Sequence, residues 1–265
     1  MRRFRFLFAS LCIALLPAIG FATEGFFDSN GTKIHYVEEG AGAPILLVHG
    51  RGGEAANWVS QGVIGNLMKD YRVIALDLRG HGKSDKPKDP KKYGQEMGLD
   101  IVRLLDHLGL KQVHIVGYSL GANITAQLLT TDPGRFATAV LVASAGRFPW
   151  TAEDEKMFEE QATEIERDTT VAELDRNAIA AMLRSFGEQV ITREQIAAVR
   201  VPTLGIVGSA DPFLPSLEEV RKLRPGLKLV IVSGATHGGA RGVTGTPEFL
   251  TATREFFAAH VPPKQ

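Results

Sequence analysis

Six stretches of strand length recur along the chain: ILLV at 45–48, RVIAL at 72–76, VHIV at 113–116, AVLVA at 139–143, TLGIV at 203–207 and KLVIV at 228–232. Their apolar residues run continuously instead of alternating, which predicts strands buried on both faces of a parallel sheet. A parallel strand cannot reach its neighbour through a tight turn and needs a long crossover. Helical patterns fill most of the intervals, as at 99–110 and at 120–133, where Pro133 stops the second. Ahead of them, FFDSNGTKIHYVEEG predicts two short strands around an Asn30-Gly31 turn. The pattern specifies a three-layer α/β domain, a mostly parallel twisted sheet flanked by helices.

Two intervals stand outside this rhythm. Between Arg147 and Arg200 no strand is evident; TAEDEKMFEEQATEIERD opens as a helix with Thr151 and Asp154 at capping-box spacing, and VAELDRNAIAAMLRSF and TREQIAAV continue with helical periodicity. Residues 147–200 are therefore expected to form a small helical lid inserted into a core made by 23–146 and 201–265. Residues 1–22 combine a basic start, a short apolar run, Pro17 and small residues, the pattern of a Sec-type signal peptide cleaved after Ala22 or Gly20. The apolar run is too short to span a bilayer, so the expectation is a periplasmic or secreted protein with no stable membrane span after cleavage. Cys12 leaves with the signal, so no disulfide and no thiolate metal site are expected. Lys plus Arg and Asp plus Glu are both 30. Apart from the first five residues the one basic cluster, KPKDPKK at 86–92, is broken by prolines and an aspartate and reads as a solvated loop, which argues against a nucleic-acid partner. The sequence specifies no oligomeric state.

The chemistry concentrates at Gly117-Tyr118-Ser119-Leu120-Gly121. This G-x-S-x-G follows a buried strand and opens a helix, the setting of a nucleophile elbow. The serine must take a strained backbone conformation to lift its hydroxyl clear, and a Cβ two residues to either side is expected to collide. A hydroxyl needs a base to take its proton. Of seven histidines, His237 lies just beyond the last strand in the glycine-rich loop SGATHGGARG, whereas His35, His107 and His114 fall on strands or a helix and His260 on the terminal helix. The imidazole needs a carboxylate to hold its tautomer. Asp211, in GSADPFLP after the strand at 203–207, meets that need; Asp168 and Asp175 belong to the lid. The backbone N–H groups of Leu120 and Arg51 are assigned to an oxyanion hole. Gly50 and Tyr118 are assigned to substrate binding, with packing behind the elbow as the alternative for Tyr118. His49 is expected to order the glycine-rich loop and not to act as a base. No metal and no cofactor are required.

Taken together, HGRGG at 49–53, ALDLRGHGKSDKP at 75–87, GYSLG at 117–121, GSADPFLP at 208–215, and GATHGG with TPEFL at 234–250 resemble the α/β-hydrolase fold superfamily over the whole mature length. The order Ser…Asp…His is that family's order, and 77–84 resembles its D-x-R-G-x-G-x-S loop, whose role there is structural. Tyr118 stands where many relatives carry histidine, and Thr236 where many carry glycine. The resemblance implies an exported serine hydrolase acting on small to medium carboxylic esters. Cofactor-free perhydrolase or haloperoxidase-like chemistry and carbon–carbon bond hydrolysis are the alternatives on the same triad, and a non-catalytic binding protein is the alternative outside enzymes.

Overall fold

The computed structural model describes residues 23–146, 150–169 and 176–260. The signal-peptide reading of 1–22, Asp175 and part of the expected lid lie outside the described residues. Among the described residues eight strands form one sheet: β1 (Thr23–Asp28), β2 (Lys33–Glu39), β3 (Ala43–Val48), β4 (Tyr71–Leu76), β5 (Val113–Tyr118), β6 (Phe136–Val142), β7 (Thr203–Gly208) and β8 (Lys228–Val232). Their spatial order is β1-β2-β4-β3-β5-β6-β7-β8. β2 pairs antiparallel with β1 and β4, and every later pairing is parallel. The β1–β2 hairpin turns at Asn30 and Gly31, both at positive φ (55° and 75°), a conformation that Asn and Gly tolerate.

The helices are α1 (Ala55–Ser60), α2 (Val63–Leu67), α3 (Gln95–His107), α4 (Leu120–Thr131), α5 (Ala152–Arg167), α6 (Arg176–Arg184), α7 (Arg193–Ala198), α8 (Leu214–Leu223) and α9 (Pro247–Ala258). Alternate residues of each central strand feed two different cores, which is why the apolar runs are continuous. Ile45 and Leu47 pack with Trp58, Leu67, Phe249 and Phe257 on one face. Leu46 and Val48 pack on the other with Leu104, Leu105, Ile124 and Leu217. β8 departs from the expectation of full burial: it is the sheet's edge strand, and Ile231 is 42% exposed. α3 starts four residues ahead of the expected helix, directly after Gly94 at φ 55°.

Between β6 and β7 the described chain is helical. The expected capping box at α5 is present, with Thr151 Oγ1 accepting from Asp154 N–H at 3.2 Å and Asp154 Oδ2 accepting from Thr151 N–H at 3.0 Å. α5 packs on α6, whereas α7 packs on α4 and α8 beside the sheet. The first two helices thus pack chiefly on each other, and the third is part of the layer that flanks the sheet.

Candidate active site

β5 ends at Tyr118 and α4 begins at Leu120, so the whole reversal falls on Ser119, at φ 53° and ψ −112°. Few non-glycine residues in the structure share a positive φ, and the strain is held by its surroundings. A Cβ on Gly117 would lie 2.3 Å from the carbonyl oxygen of Gly121, so the first glycine lets the helix fold back on the strand. A Cβ on Gly121 would lie 2.2 Å from the carbonyl oxygen of Val48. The second glycine therefore answers to the neighbouring strand β3 and not to the turn itself.

The loops after β7 and β8 bring the other two residues to the same place. Asp211 is buried, and its backbone N–H donates to Gly208 C=O at 3.2 Å. Gly208 is pressed so close to Ala235 that a Cβ would lie 2.1 Å from its carbonyl oxygen, which locks the two loops side by side. The His237 loop is closed by Thr236, whose N–H donates to Arg241 C=O at 2.9 Å and whose hydroxyl donates to Gly238 C=O at 3.0 Å. That hydroxyl bond gives Thr236 a use in the position where many relatives carry glycine.

His237 Nδ1 lies 3.0 and 3.2 Å from the two oxygens of Asp211, and its Nε2 lies 2.9 Å from Ser119 Oγ. An ionised carboxylate only accepts, so Nδ1 carries the proton, Nε2 is the acceptor in the neutral ring and the Ser119 hydroxyl donates to it. Asp211 Oδ1 also accepts from Phe213 N–H at 2.8 Å, which fixes the carboxylate. The Asp211 side chain is fully buried and that of His237 is 30% exposed, so the chain of hydrogen bonds runs from the interior to an open face. The imidazole is held between the rings of Tyr118 and Phe213, with centroids 5.4 and 4.9 Å away.

Ser119 and His237 open on a cavity of about 470 Å³, and Leu120 and Arg51 line it beside them. Leu120 is the first residue of α4, and the first amides of a helix have no intrahelical acceptor. The two residues assigned to substrate binding are placed beside the elbow. Tyr118 and Gly50 do not line the cavity. Tyr118 packs behind the elbow, edge-on to Trp58, and its hydroxyl donates to the backbone carbonyl of His237. Burial, with the Asp211 charge adding to it, pushes the phenol up to about 12, so it stays a donor. Gly50 is a space for that packing, since a Cβ there would stand 3.0 Å from the Tyr118 ring and 3.1 Å from Ser119 Cβ.

His49 is not a base. Its Nε2 accepts from Leu78 N–H at 3.0 Å, so Nδ1 donates to Gly50 C=O at 2.7 Å, and burial holds its pKa below the ordinary histidine value. The 77–84 loop is likewise a scaffold. Asp77 accepts from Ala55 N–H at 2.6 Å and Lys83 N–H at 2.8 Å, and a Cβ on Gly82 would collide with its carboxylate at 2.2 Å. Asp168 does not contribute to the cavity. Among the described residues no group of three or more His, Cys, Asp or Glu is placed to hold a metal ion.

Sequence reasoning missed Asn123. Its Oδ1 accepts from Ser144 Oγ at 2.6 Å and Gly146 N–H at 2.8 Å, joining α4 to the loop after β6, and all three residues line the cavity. The signal was present as a lone amide in the apolar first turn of LGANITAQLL.

A sheet of this order, with serine, aspartate and histidine delivered by the loops after β5, β7 and β8, defines an α/β-hydrolase fold. The family model described as the alpha/beta hydrolase fold matches residues 43–169, a little under half of the chain, and the fold is that of the α/β hydrolases. The dihydrolipoyllysine-residue acetyltransferase component of an acetoin cleaving system from Cupriavidus necator is 35% identical over 126 residues, 47% of this chain. The match covers 33% of that relative, so the chain spans about a third of its length. A putative carbamate hydrolase, RutD, from Variovorax paradoxus is 29% identical over 85% of this chain and 96% of its own. The crystal structure of a hydrolase from Pseudomonas aeruginosa superimposes with a TM-score of 0.74 at 23% identity, covering 91% of this chain and 98% of that one. At that identity the likeness is one of fold.

Proposed function

We propose that the protein is an exported serine hydrolase that cleaves carboxylic esters of small to medium size through an acyl-enzyme. The observation that carries the proposal is the hydrogen-bonded series Asp211–His237–Ser119 ending on the cavity. In the first half-reaction Ser119 Oγ bonds to the acyl carbon while its proton passes to His237 Nε2. The tetrahedral oxyanion is held by the N–H groups of Leu120 and Arg51. The bond to the leaving oxygen then breaks, and the alcohol departs with the proton from His237. In the second half-reaction water gives its proton to His237, attacks the acyl carbon, and the acid leaves as Ser119 recovers its proton. Asp211 keeps Nε2 facing the serine and stabilises the imidazolium without being protonated itself.

The cavity supports a modest substrate. Trp150, Met157, Phe158, Phe186, Val190 and Phe213 give it an apolar wall, and about 470 Å³ is within the range for small-molecule sites. The proposed lid is the source of most of that wall. Full-length likeness to a relative named as a putative carbamate hydrolase supports carbamates as a second substrate class for the same residues.

Hydrolysis of p-nitrophenyl acetate and butyrate tests the proposal. The wild-type protein is expected to cleave both and Ser119→Ala neither above background; cleavage by Ser119→Ala at the wild-type rate overturns it. The export arm rests on the pattern in residues 1–22. Periplasmic or secreted material is expected to begin at Thr23 or Phe21, and a chain retained in the cytoplasm with its leader intact overturns that arm.

A further inference from the structure

The cavity contains a charge that ester hydrolysis does not need. Of the described residues that line it, Arg51 alone carries a fixed charge, and none is a carboxylate. Its guanidinium donates from Nη1 to the neutral side-chain oxygen of Gln161, on α5, at 3.0 Å. A guanidinium has five N–H donors in a planar fork, so most of its donor capacity is uncommitted. Asp211 is not its counter-ion, because both carboxylate oxygens face His237 and Oδ1 also serves Phe213 N–H. Elsewhere in the fold several arginines are matched with acids, Arg79 with Asp100, Arg72 with Glu38, Arg184 with Glu159 and Glu166, whereas Arg224 donates to Thr203 Oγ1 and Val201 C=O and does not line the cavity. Arg51 stands apart in being exposed inside the cavity that holds Ser119.

We propose that Arg51 is a specificity-determining residue that selects substrates carrying a carboxylate, through a charge-assisted hydrogen bond to that group while Ser119 takes the ester carbonyl. The inference rests on the serine-hydrolase reading and deepens it. Two physical points give it direction. The apolar wall lowers the local dielectric, so an unpartnered cation there attracts an anion more strongly than one on an open surface. A carboxylate matches the guanidinium fork with two parallel bonds, which fixes the orientation of the substrate as well as its charge. Gln161 holds the fork at the cavity and is the acceptor that the substrate carboxylate displaces or joins. The substrate class is the half-ester of a dicarboxylic acid, or an ester whose alcohol portion carries a carboxylate.

The test uses matched substrates on the full chain: p-nitrophenyl butyrate against the p-nitrophenyl half-ester of succinate, and phenyl acetate against 4-acetoxybenzoate. These place the negative charge on the acyl side or on the leaving side. The measured quantity is the ratio of kcat/KM for charged and neutral members of each pair, so that any disturbance of the Arg51 backbone amide cancels. Wild-type protein is expected to favour the charged member of one pair by about tenfold or more, the size of a hydrogen bond to a charged group. Arg51→Met is expected to remove the preference, Arg51→Lys to restore part of it, and raised salt to weaken it. Ser119-dependent turnover of both members with no preference for charge in either pair, or a preference that survives Arg51→Met, overturns the inference and leaves the hydrolase reading standing. No turnover of any of the four esters overturns both.

Discussion

His237 and His35 each turn Nδ1 toward an aspartate, at 3.0 Å from Asp211 Oδ2 and 2.8 Å from Asp77 Oδ2. Judged by that contact alone the two pairs are interchangeable. Their other sides differ. His35 presents Nε2 to Glu24 at 3.1 Å, so both ring nitrogens face carboxylates, and the His35 side chain is 4% exposed. Asp77 is shared among two backbone amides as well as His35. His237 presents Nε2 to a hydroxyl that sits on a strained bend and opens on a cavity. The lesson is that an aspartate–histidine pair fixes a tautomer and an orientation in either setting. What separates scaffold from chemistry is whether the second nitrogen is left for a nucleophile.

The comparison can be broken by exchanging the two histidines' fates. His237→Ala is expected to lower kcat/KM for p-nitrophenyl butyrate by about 10⁴-fold or more with the fold retained, because the hydroxyl loses its base. His35→Phe is expected to do the reverse. It costs about 1–3 kcal/mol in a urea unfolding curve, for Asp77 loses a buried donor, while turnover per folded molecule stays within about twofold. Loss of turnover in the His35 variant, with its fold intact, contradicts the distinction.

The aspartates sharpen it next. Asp211→Asn keeps the shape but allows the wrong histidine tautomer, and is expected to cost about 10³- to 10⁴-fold in kcat. Asp77→Asn is expected to lower stability and leave the pH profile of kcat/KM in place. The smallest effect concerns buried histidines that lack an acid. Burial pushes His81 down to about 3 and His114 to about 4, the latter with Nδ1 at 2.7 Å from Thr138 Oγ1 and its ring stacked on Phe257. Both are neutral in the folded state at pH 5 and protonated in the unfolded chain, whose histidines titrate near 6.5. The unfolded state then binds more protons, so stability falls as pH drops from about 6.5 toward 4, by up to about 1.4 kcal/mol per unit for each histidine. His114→Phe is expected to make that slope shallower in denaturation series between pH 7 and 4.5.

Much of this was legible in the chain because backbone placement follows from strand ends. Ser119, Asp211 and His237 each come soon after an apolar run, and loops that follow parallel strands share one edge of the sheet. The glycines at 117 and 121 announced a crowded bend, although which neighbour crowds Gly121 needed the position of β3. Side-chain direction was less legible. Tyr118 precedes the bend by a single residue, and the pleat sends its ring behind the elbow toward Trp58, away from the cavity. Asn123 joins two segments 21 residues apart through Ser144, and nothing in the local pattern says which loop it will meet. The apolar wall depends on how α5 comes to line the cavity, a matter of tertiary packing and not of periodicity.

The most direct measurement of the central claim is covalent labelling of the intact protein with a fluorophosphonate, followed by mass analysis of the modified peptide. The account predicts one adduct, on Ser119, formed rapidly in the wild type and at His35→Phe, and slowed by orders of magnitude in His237→Ala. A folded wild-type protein that stays unlabelled, or carries the label on another residue, contradicts it.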